Sequence, residues 1–278
     1  GLLARIKALP NVVYETGLST ASTTSRSTMA RVTLSNRRII DCKLLIAADG
    51  RDSSIREQAG VAMKRTEFGQ SALSFSVTHE LPHNNISTEV HKVGGPFTLV
   101  PLPDFEGNPS SAVVWMDKTD DINNIKALPP AAFNAAITQR SGAVLGKLTA
   151  VTNCAKWPII SQLADHFFAE RTAFIAETAH VVPPIGAQGL NLSIGDIETL
   201  LKLAKSSSDD IGSLTVLKKY HKIRRPIAQS RVIGVGLLNR ASKADGPNAA
   251  RARALGLNAI HNIKPLRHAL MQLGIGLR

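Results

Sequence analysis

Cysteine is nearly absent: Cys42 and Cys154 are the two in 278 residues. They stand far apart, so they form neither a disulfide framework nor a metal-ligand spacing. Both lie among apolar residues, and two buried, reduced thiols in a cytoplasmic protein are the expectation. Aromatic residues make up only 4% of the chain. No apolar stretch approaches the roughly 18 uninterrupted residues a membrane-spanning helix needs. His79, His83, His91, His166, His221, His261 and His268 stand at no ligand spacing from Asp, Glu or Cys, which predicts no metal site. The front of the sequence carries neither an initiator Met nor a signal-peptide pattern. Gly1-Leu2-Leu3-Ala4-Arg5 reads as the end of a helix before a turn at Pro10-Asn11, so a cut edge is expected there.

Acid is missing from one region. Residues 213–278 hold 13 Lys and Arg against one acid, Asp245, for +12, whereas residues 1–212 hold 20 of each sign and sum to zero. The whole excess charge lies in the tail, where it attracts anionic lipid or nucleic acid. Arg251, Arg253, Lys264 and Arg267 mix with Leu255, Leu257, Ile260, Ile263, Leu266 and Leu270. Such a basic amphipathic segment can lie on an anionic membrane surface. A helix packed on its own domain with a solvated basic face has the same pattern. Tyr220 is the only aromatic residue in the tail, so bases have little to stack on and nucleic acid is not expected as a partner.

What is present is a soluble-type composition, 44% hydrophobic, long enough for one large or two modest domains. Val12-Val13-Tyr14 reads as a short strand. Residues 31–34 and 39–42 flank the polar turn Ser35-Asn36-Arg37-Arg38, a hairpin signal. Leu44-Leu45-Ile46-Ala47-Ala48 is an unbroken apolar run that suits a parallel strand buried on both faces. Alternation over 70–120 predicts a mostly antiparallel sheet, with Leu73, Phe75 and Val77 on one face and Ile86, Thr88 and Val90 on another. It continues through strands at 97–103 and 112–116. Pro129-Pro130 opens a helix through Phe133–Arg140. Strands are expected at 157–160 and 173–176. Ile197, Leu200, Leu201 and Ala204 follow helical spacing, as do Leu214, Leu217, Tyr220 and Ile223, and Pro226 is expected to kink the second helix.

Two stretches carry the chemistry. In residues 176–200 a strand runs into a loop rich in Pro and Gly, and a helix begins near Gly189-Leu190-Asn191. The prolines stiffen the loop, the glycines let backbone approach something flat or charged, and a helix N-terminus favours an anion. A planar cofactor that becomes anionic on reduction suits that place; an ordinary strand-loop-helix connection shares the spacing. The second stretch is Ala47-Ala48-Asp49-Gly50-Arg51-Asp52-Ser53-Ser54-Ile55-Arg56, a carboxylate at a strand end followed by Gly and Arg. Alone, it reads as a turn with a local salt bridge.

Ala176-Glu177-Thr178-Ala179-His180 with Pro184, Gly186, Gln188-Gly189-Leu190-Asn191 resembles the second flavin motif of FAD-dependent aromatic hydroxylases of the para-hydroxybenzoate-hydroxylase type. The variant Pro-Pro-Ile-Gly-Ala-Gln-Gly-Leu-Asn-Leu is similar to the ubiquinone-biosynthesis branch. Ala176-Glu177 stands where the family has Gly-Asp. Asp49-Gly50 with Ser53 and Arg56 resembles the family's motif near the flavin pyrophosphate, which is implicated in both FAD and NAD(P)H binding; Ala47 replaces its usual Gly. The family's opening Gly-x-Gly-x-x-Gly loop has no counterpart in these 278 residues.

The resemblance implies a mixed α/β fold. Residues 1–65 would be the remainder of an incomplete FAD-binding Rossmann-like domain and 66–172 an inserted, mostly antiparallel substrate sheet. Residues 173–212 would return to the FAD-binding domain, and 213–278 would be basic C-terminal helices. It implies FAD held by Asp49, Gly50, Arg56, Glu177, Pro184, Gly186, Gly189, Leu190 and Asn191. It implies NAD(P)H as reductant, O₂, and a polyprenyl-phenol lying along Phe97, Leu99 and Pro101. No residue is expected as a covalent or acid-base catalyst, since the cofactor supplies the chemistry. A peripheral position on the inner membrane face is expected. Without the glycine loop the chain is expected to be inactive alone. A reductase or dehydrogenase of the same fold, or a non-catalytic lipid-binding remnant, are the competing classes.

Overall fold

The computed structural model describes residues 1–207, 209–243 and 262–265. In chain order the elements are α1 (Leu2–Lys7), β1 (Thr20–Ser25), β2 (Ala30–Leu34), β3 (Ile39–Cys42), β4 (Leu45–Ala47), α2 (Ser54–Gln58) and β5 (Met63–His79). There follow β6 (Thr88–Lys92), β7 (Gly95–Phe105), β8 (Asn108–Lys118), α3 (Thr119–Lys126), α4 (Pro130–Ser141), β9 (Leu148–Ala150) and β10 (Ala155–Ala164). The last are β11 (Phe168–Ala169), β12 (Thr172–Phe174), α5 (Gln188–Ser206) and α6 (Leu214–Lys243). The fold is mixed α/β. No helix among the described residues is long and apolar enough to cross a membrane. The basic segment 250–278 lies outside the described residues apart from 262–265.

The chain forms two units. The first comprises residues 1–63, 164–180 and 193–227; the second comprises 64–163, 181–192 and the residues from 228 onward.

In the first unit β1, β2 and β3 form an antiparallel sheet, with Arg31 opposite Asp41 across the expected hairpin. The second sheet runs β11-β12-β4, and β12 pairs parallel to β4 with Ala173 opposite Ile46. A parallel pair needs a long crossover, and residues 48–171 supply it. The apolar run at 44–48 is therefore a parallel strand as expected, but it is not buried on both faces, because Ile46 is 48% exposed. Val12-Val13-Tyr14 forms no strand and is exposed. Arg171 holds three loops of this unit together: it donates to the carbonyls of Ser27 and Lys43 and pairs with Asp210.

In the second unit the sheet order is β10-β5-β8-β7-β6, with β9 also on β5. β5 and β8 are antiparallel with Leu73 opposite Trp115, and β7 and β8 with Phe97 opposite Trp115. Side chains alternate across a strand. Leu73, Phe75, Val77, Phe97, Leu99, Val113 and Trp115 therefore share one face. There they form a core with Ile122 of α3 and with Phe133 and Ile137 of α4. Phe75 and Phe133 meet edge to face at 5.2 Å, and so do Phe97 and Trp115 at 5.6 Å. The other face carries a smaller cluster of Phe68, Ala72, Met116 and Ile159. α4 opens with Pro130 and stops at Gly142, whose φ of 69° is the left-handed cap that glycine adopts without strain.

α6 runs unbroken from Leu214 to Lys243 with Pro226 inside it. Of the residues expected on one face, Leu217 and Tyr220 are buried, while Leu214 and Ile223 are exposed. On α5 the buried residues are Leu192, Asp196 and Leu200, and Ile197 and Leu201 face outward. Both cysteines are free and partly buried, and burial is the first cause that raises each thiol above its ordinary value.

His221 of α6 accepts the Phe167 N–H through Nδ1 at 3.2 Å and lies tilted against His166 at 5.3 Å between ring centroids. Burial lowers its pKa from the ordinary 6.5, and His166 and Arg225 lower it further. The folded state thus binds fewer protons here than the unfolded chain, so this part of the stability is present above pH 6.5 and is lost as pH falls through the depressed folded value. His221→Asn keeps an acceptor for Phe167 and removes the titration. Urea unfolding at about pH 8 and about pH 5 should show a smaller pH-dependent loss in the variant than in the parent. Equal losses would remove His221 from the account.

Candidate functional site

The turn at Ala176–Thr178 is one tight 3₁₀ loop after β12. It binds the two sequence motifs of the first unit to each other. On one side, Thr178 Oγ1 donates to Asp49 Oδ1 at 3.1 Å and accepts the Gly50 N–H at 3.2 Å. Arg56 Nη1 donates to the Thr178 carbonyl at 2.9 Å. Asp49 also accepts Ser53 Oγ–H at 2.6 Å and the Ile55 N–H at 3.3 Å. Ser53 is the N-cap of α2 and accepts the Arg56 N–H at 3.0 Å. A short polar residue before a helix satisfies its first free N–H groups, so the local sequence Asp-Gly-Arg-Asp-Ser builds its own turn and cap. Gly50 has φ of 94° with open space where a side chain would go.

Asp49 and Arg56 are consequently engaged inward. Both oxygens of Asp49 accept internal donors, and Arg56 is buried with Nη1 on the turn. Glu177 points outward: its carboxylate is half exposed and meets Arg51 at 3.3 Å through both oxygens. An exposed pair at that length contributes little to stability and leaves the carboxylate free to accept other donors.

On the other side, Asp196 of α5 is wholly buried and accepts the Ala176 N–H at 3.0 Å and His180 Nε2 at 2.7 Å. Its second oxygen accepts Arg224 Nε at 2.8 Å. Tyr220 donates to the Phe174 carbonyl at 2.9 Å. Burial first, then the Asp196 charge, raises the Tyr220 hydroxyl well above its ordinary value, so it stays a donor.

Pro184, Gly186, Gly189, Leu190 and Asn191 belong to the second unit, in the loop before α5 and its first turn. All five are exposed. Gly186 has φ of 66°, and nothing lies within 4 Å of where a Cβ on Gly189 would stand. No acid sits in the first turn of α5, so no carboxylate of that turn offsets the positive end of its dipole. In the first unit the outward carboxylate of Glu177 with Arg51 beside it fits the hydroxyl-rich chain of a flavin nucleotide; in the second, Gly186 and Gly189 leave room for a flat group.

Of the residues expected along the substrate, Phe97 and Leu99 are 0% and 1% exposed inside the core that α3 and α4 close. Pro101, two residues further along the same alternation, is only partly buried. The residues of β7 on the opposite face are Thr98 and Val100, opposite Val114 and Ala112 of β8, and they are partly or fully accessible. The most apolar residues of a two-faced strand went to the covered face.

Sequence reasoning passed over Thr178, Arg51 and Arg224. Asp196 carried a readable signal: an acid placed four residues from both Leu192 and Leu200, on the buried face of a helix.

A family model described as "FAD binding domain" matches residues 14–233. The chain is 31% identical over 247 residues to the ubiquinone hydroxylase UbiL of Rhodospirillum rubrum, covering 88% of this chain and 57% of that protein. It is 27% identical over 265 residues to the ubiquinone hydroxylase UbiM of Neisseria meningitidis, covering 94% and 57%. The chain thus spans a little over half the length of these relatives. Its fold resembles that of p-nitrophenol 4-monooxygenase PnpA from Pseudomonas putida, with a TM-score of 0.77, 18% identity, and coverage of 100% of this chain and 71% of the other.

Ala176 has φ of 54°, a left-handed conformation that disfavours any residue with a Cβ by about 1–2 kcal/mol. The related hydroxylase motif has glycine there. Ala176→Gly should therefore stabilise the fold by about 1 kcal/mol after the extra chain entropy of glycine is subtracted. Thermal unfolding should show a rise of about 2–4 °C; an unchanged or lower midpoint would contradict a strained turn.

Proposed function

Because the chain belongs to the FAD binding domain family, we propose that it works as a flavin-dependent monooxygenase on the route to ubiquinone, hydroxylating a polyprenylated phenol with NAD(P)H and O₂. The observation that carries the reading is the turn at Thr178, which ties the Asp49 motif to the Glu177 motif through paired hydrogen bonds. Two stretches over a hundred residues apart in sequence converge on one carboxylate. The named activities of UbiL and UbiM support the substrate class.

In this reading the flavin, once reduced, activates O₂ for transfer of one oxygen atom to an electron-rich ring. The chain's residues bind and orient. Glu177 accepts hydroxyl hydrogens of the cofactor's polyol, and Arg51 beside it adds positive charge for phosphate. Asp49 and Arg56 keep the turn in place. Gly186 and Gly189 leave room for the flat ring system, and the positive dipole end of α5 suits its anionic form. Thr98 and Val100 line the accessible face of β7, where an aromatic ring would lie. The basic segment 250–278 would hold the protein on anionic lipid, where a polyprenyl substrate resides.

Gly189→Val provides the test, since a Cβ there meets nothing within 4 Å beyond its chain neighbours and its own helix backbone. The complete protein bearing the change should fold with the parent's thermal midpoint and yet fail to retain FAD. Equal FAD content in both would refute this placement. The parent, given NAD(P)H, O₂ and a prenylated phenol, should yield hydroxylated phenol in proportion to the NAD(P)H oxidised. Sustained oxidation without hydroxylated product would favour a reductase.

A further inference from the structure

We infer that Asp196 is a positioning residue for the cofactor-binding carboxylate: through a buried His180–Asp196–Arg224 cluster it fixes the strained backbone that aims Glu177. The inference rests on the reading of Glu177 as a flavin contact. It extends that reading to residues that touch no ligand.

Three observations in the first unit converge. Asp196 is wholly buried, and its carboxylate is fully used: Oδ2 takes the Ala176 N–H and His180 Nε2, and Oδ1 takes Arg224 Nε. His180 and Arg224 are themselves 3% and 7% exposed. A buried carboxylate persists only when paired and hydrogen-bonded, and here the fixed charge of Arg224 is its counterion.

The second observation is a glycine in a helix interior. A Cβ on Gly195 would stand 2.8 Å from both terminal nitrogens of Arg224. Glycine is a poor helix former, yet a side chain at 195 would force the Arg224 guanidinium to shift. The helix is shaped around the ion pair.

The third is what the carboxylate holds. Ala176 lies in the left-handed region at φ 54° and its N–H goes to Asp196. The turn is thus gripped at its entry by Asp196 and at its exit by Arg56 and Asp49, which hold Thr178. Glu177 sits between the two grips with its carboxylate outward. Releasing the entry would let Ala176 relax to negative φ and swing Glu177 away.

The test uses the complete protein and FAD itself. Asparagine would keep an oxygen for the Ala176 N–H, and removing Asp196 alone would take the carboxylate from Arg224, so Asp196→Leu is paired with Arg224→Met to keep the protein foldable. The double variant should bind FAD at least about tenfold more weakly, the loss of one charge-assisted contact. Adding Ala176→Gly should then behave in one of two ways. If Asp196 acts by holding the strained residue, glycine adopts the conformation unaided and restores affinity to within about threefold of the Ala176→Gly protein. If affinity stays low, or if the folded double variant binds FAD as the parent does, the inference is overturned. Hydrogen exchange at the Ala176 amide in flavin-free protein, expected to quicken in the double variant, reads the clamp without the cofactor. A quickened amide with unchanged FAD affinity would leave the clamp standing and sink its role. Glu177→Gln with undiminished FAD affinity would instead overturn the flavin reading, and the inference with it.

Discussion

The hydrogen bonds of Thr178 are the constraint on which the first unit depends. Its hydroxyl joins Asp49 and Gly50, and its carbonyl takes Arg56. Those contacts bridge 122 to 129 positions of sequence. They lie directly after the parallel pairing of β12 with β4, so the strand ends deliver both loops to one place and the threonine locks them. The buried Asp196 cluster braces the same turn from the far side. What emerges between is one outward carboxylate on a backbone fixed at both ends. A carboxylate on a backbone held in this way can recognise a ligand's hydroxyl groups with less freedom lost on binding.

Much of this was legible in the sequence, and the failures have a common cause. The hairpin at 31–42, the alternation of Leu73, Phe75 and Val77, and the proline-opened helix at 130 follow from local periodicity and turn chemistry, and they form as expected. The Asp-Gly-Arg-Asp-Ser turn was readable because Ser53 caps its own helix. Local pattern says nothing about what covers a face. Phe97 and Leu99 are the most apolar residues of β7, and α3 and α4 cover them, so the accessible side belongs to Thr98 and Val100. Ile197 and Leu201 fit the helical period yet face outward, while the acid Asp196 takes the inner position.

The departure of Ala176-Glu177 from the Gly-Asp of the related motif has a physical reading in the structure. Ala176 occupies a left-handed position that glycine would take freely. The chain keeps alanine there and supplies a buried carboxylate to hold its N–H. Glu177 is one methylene longer than aspartate and leans on Arg51. Strain of this sort concentrates where a protein must hold a group in one orientation, and the surroundings at 176 over-determine the backbone in that manner.

Titration of FAD into the complete protein and into its Thr178→Val variant tests the central claim most directly. Valine matches the shape of threonine and lacks the hydroxyl that links Asp49 and Gly50 to the turn. The account requires a folded variant with at least about tenfold weaker FAD binding, because the carboxylate of Glu177 would no longer be held in register with the Asp49 loop. A folded Thr178→Val protein that binds FAD as tightly as the parent would contradict it.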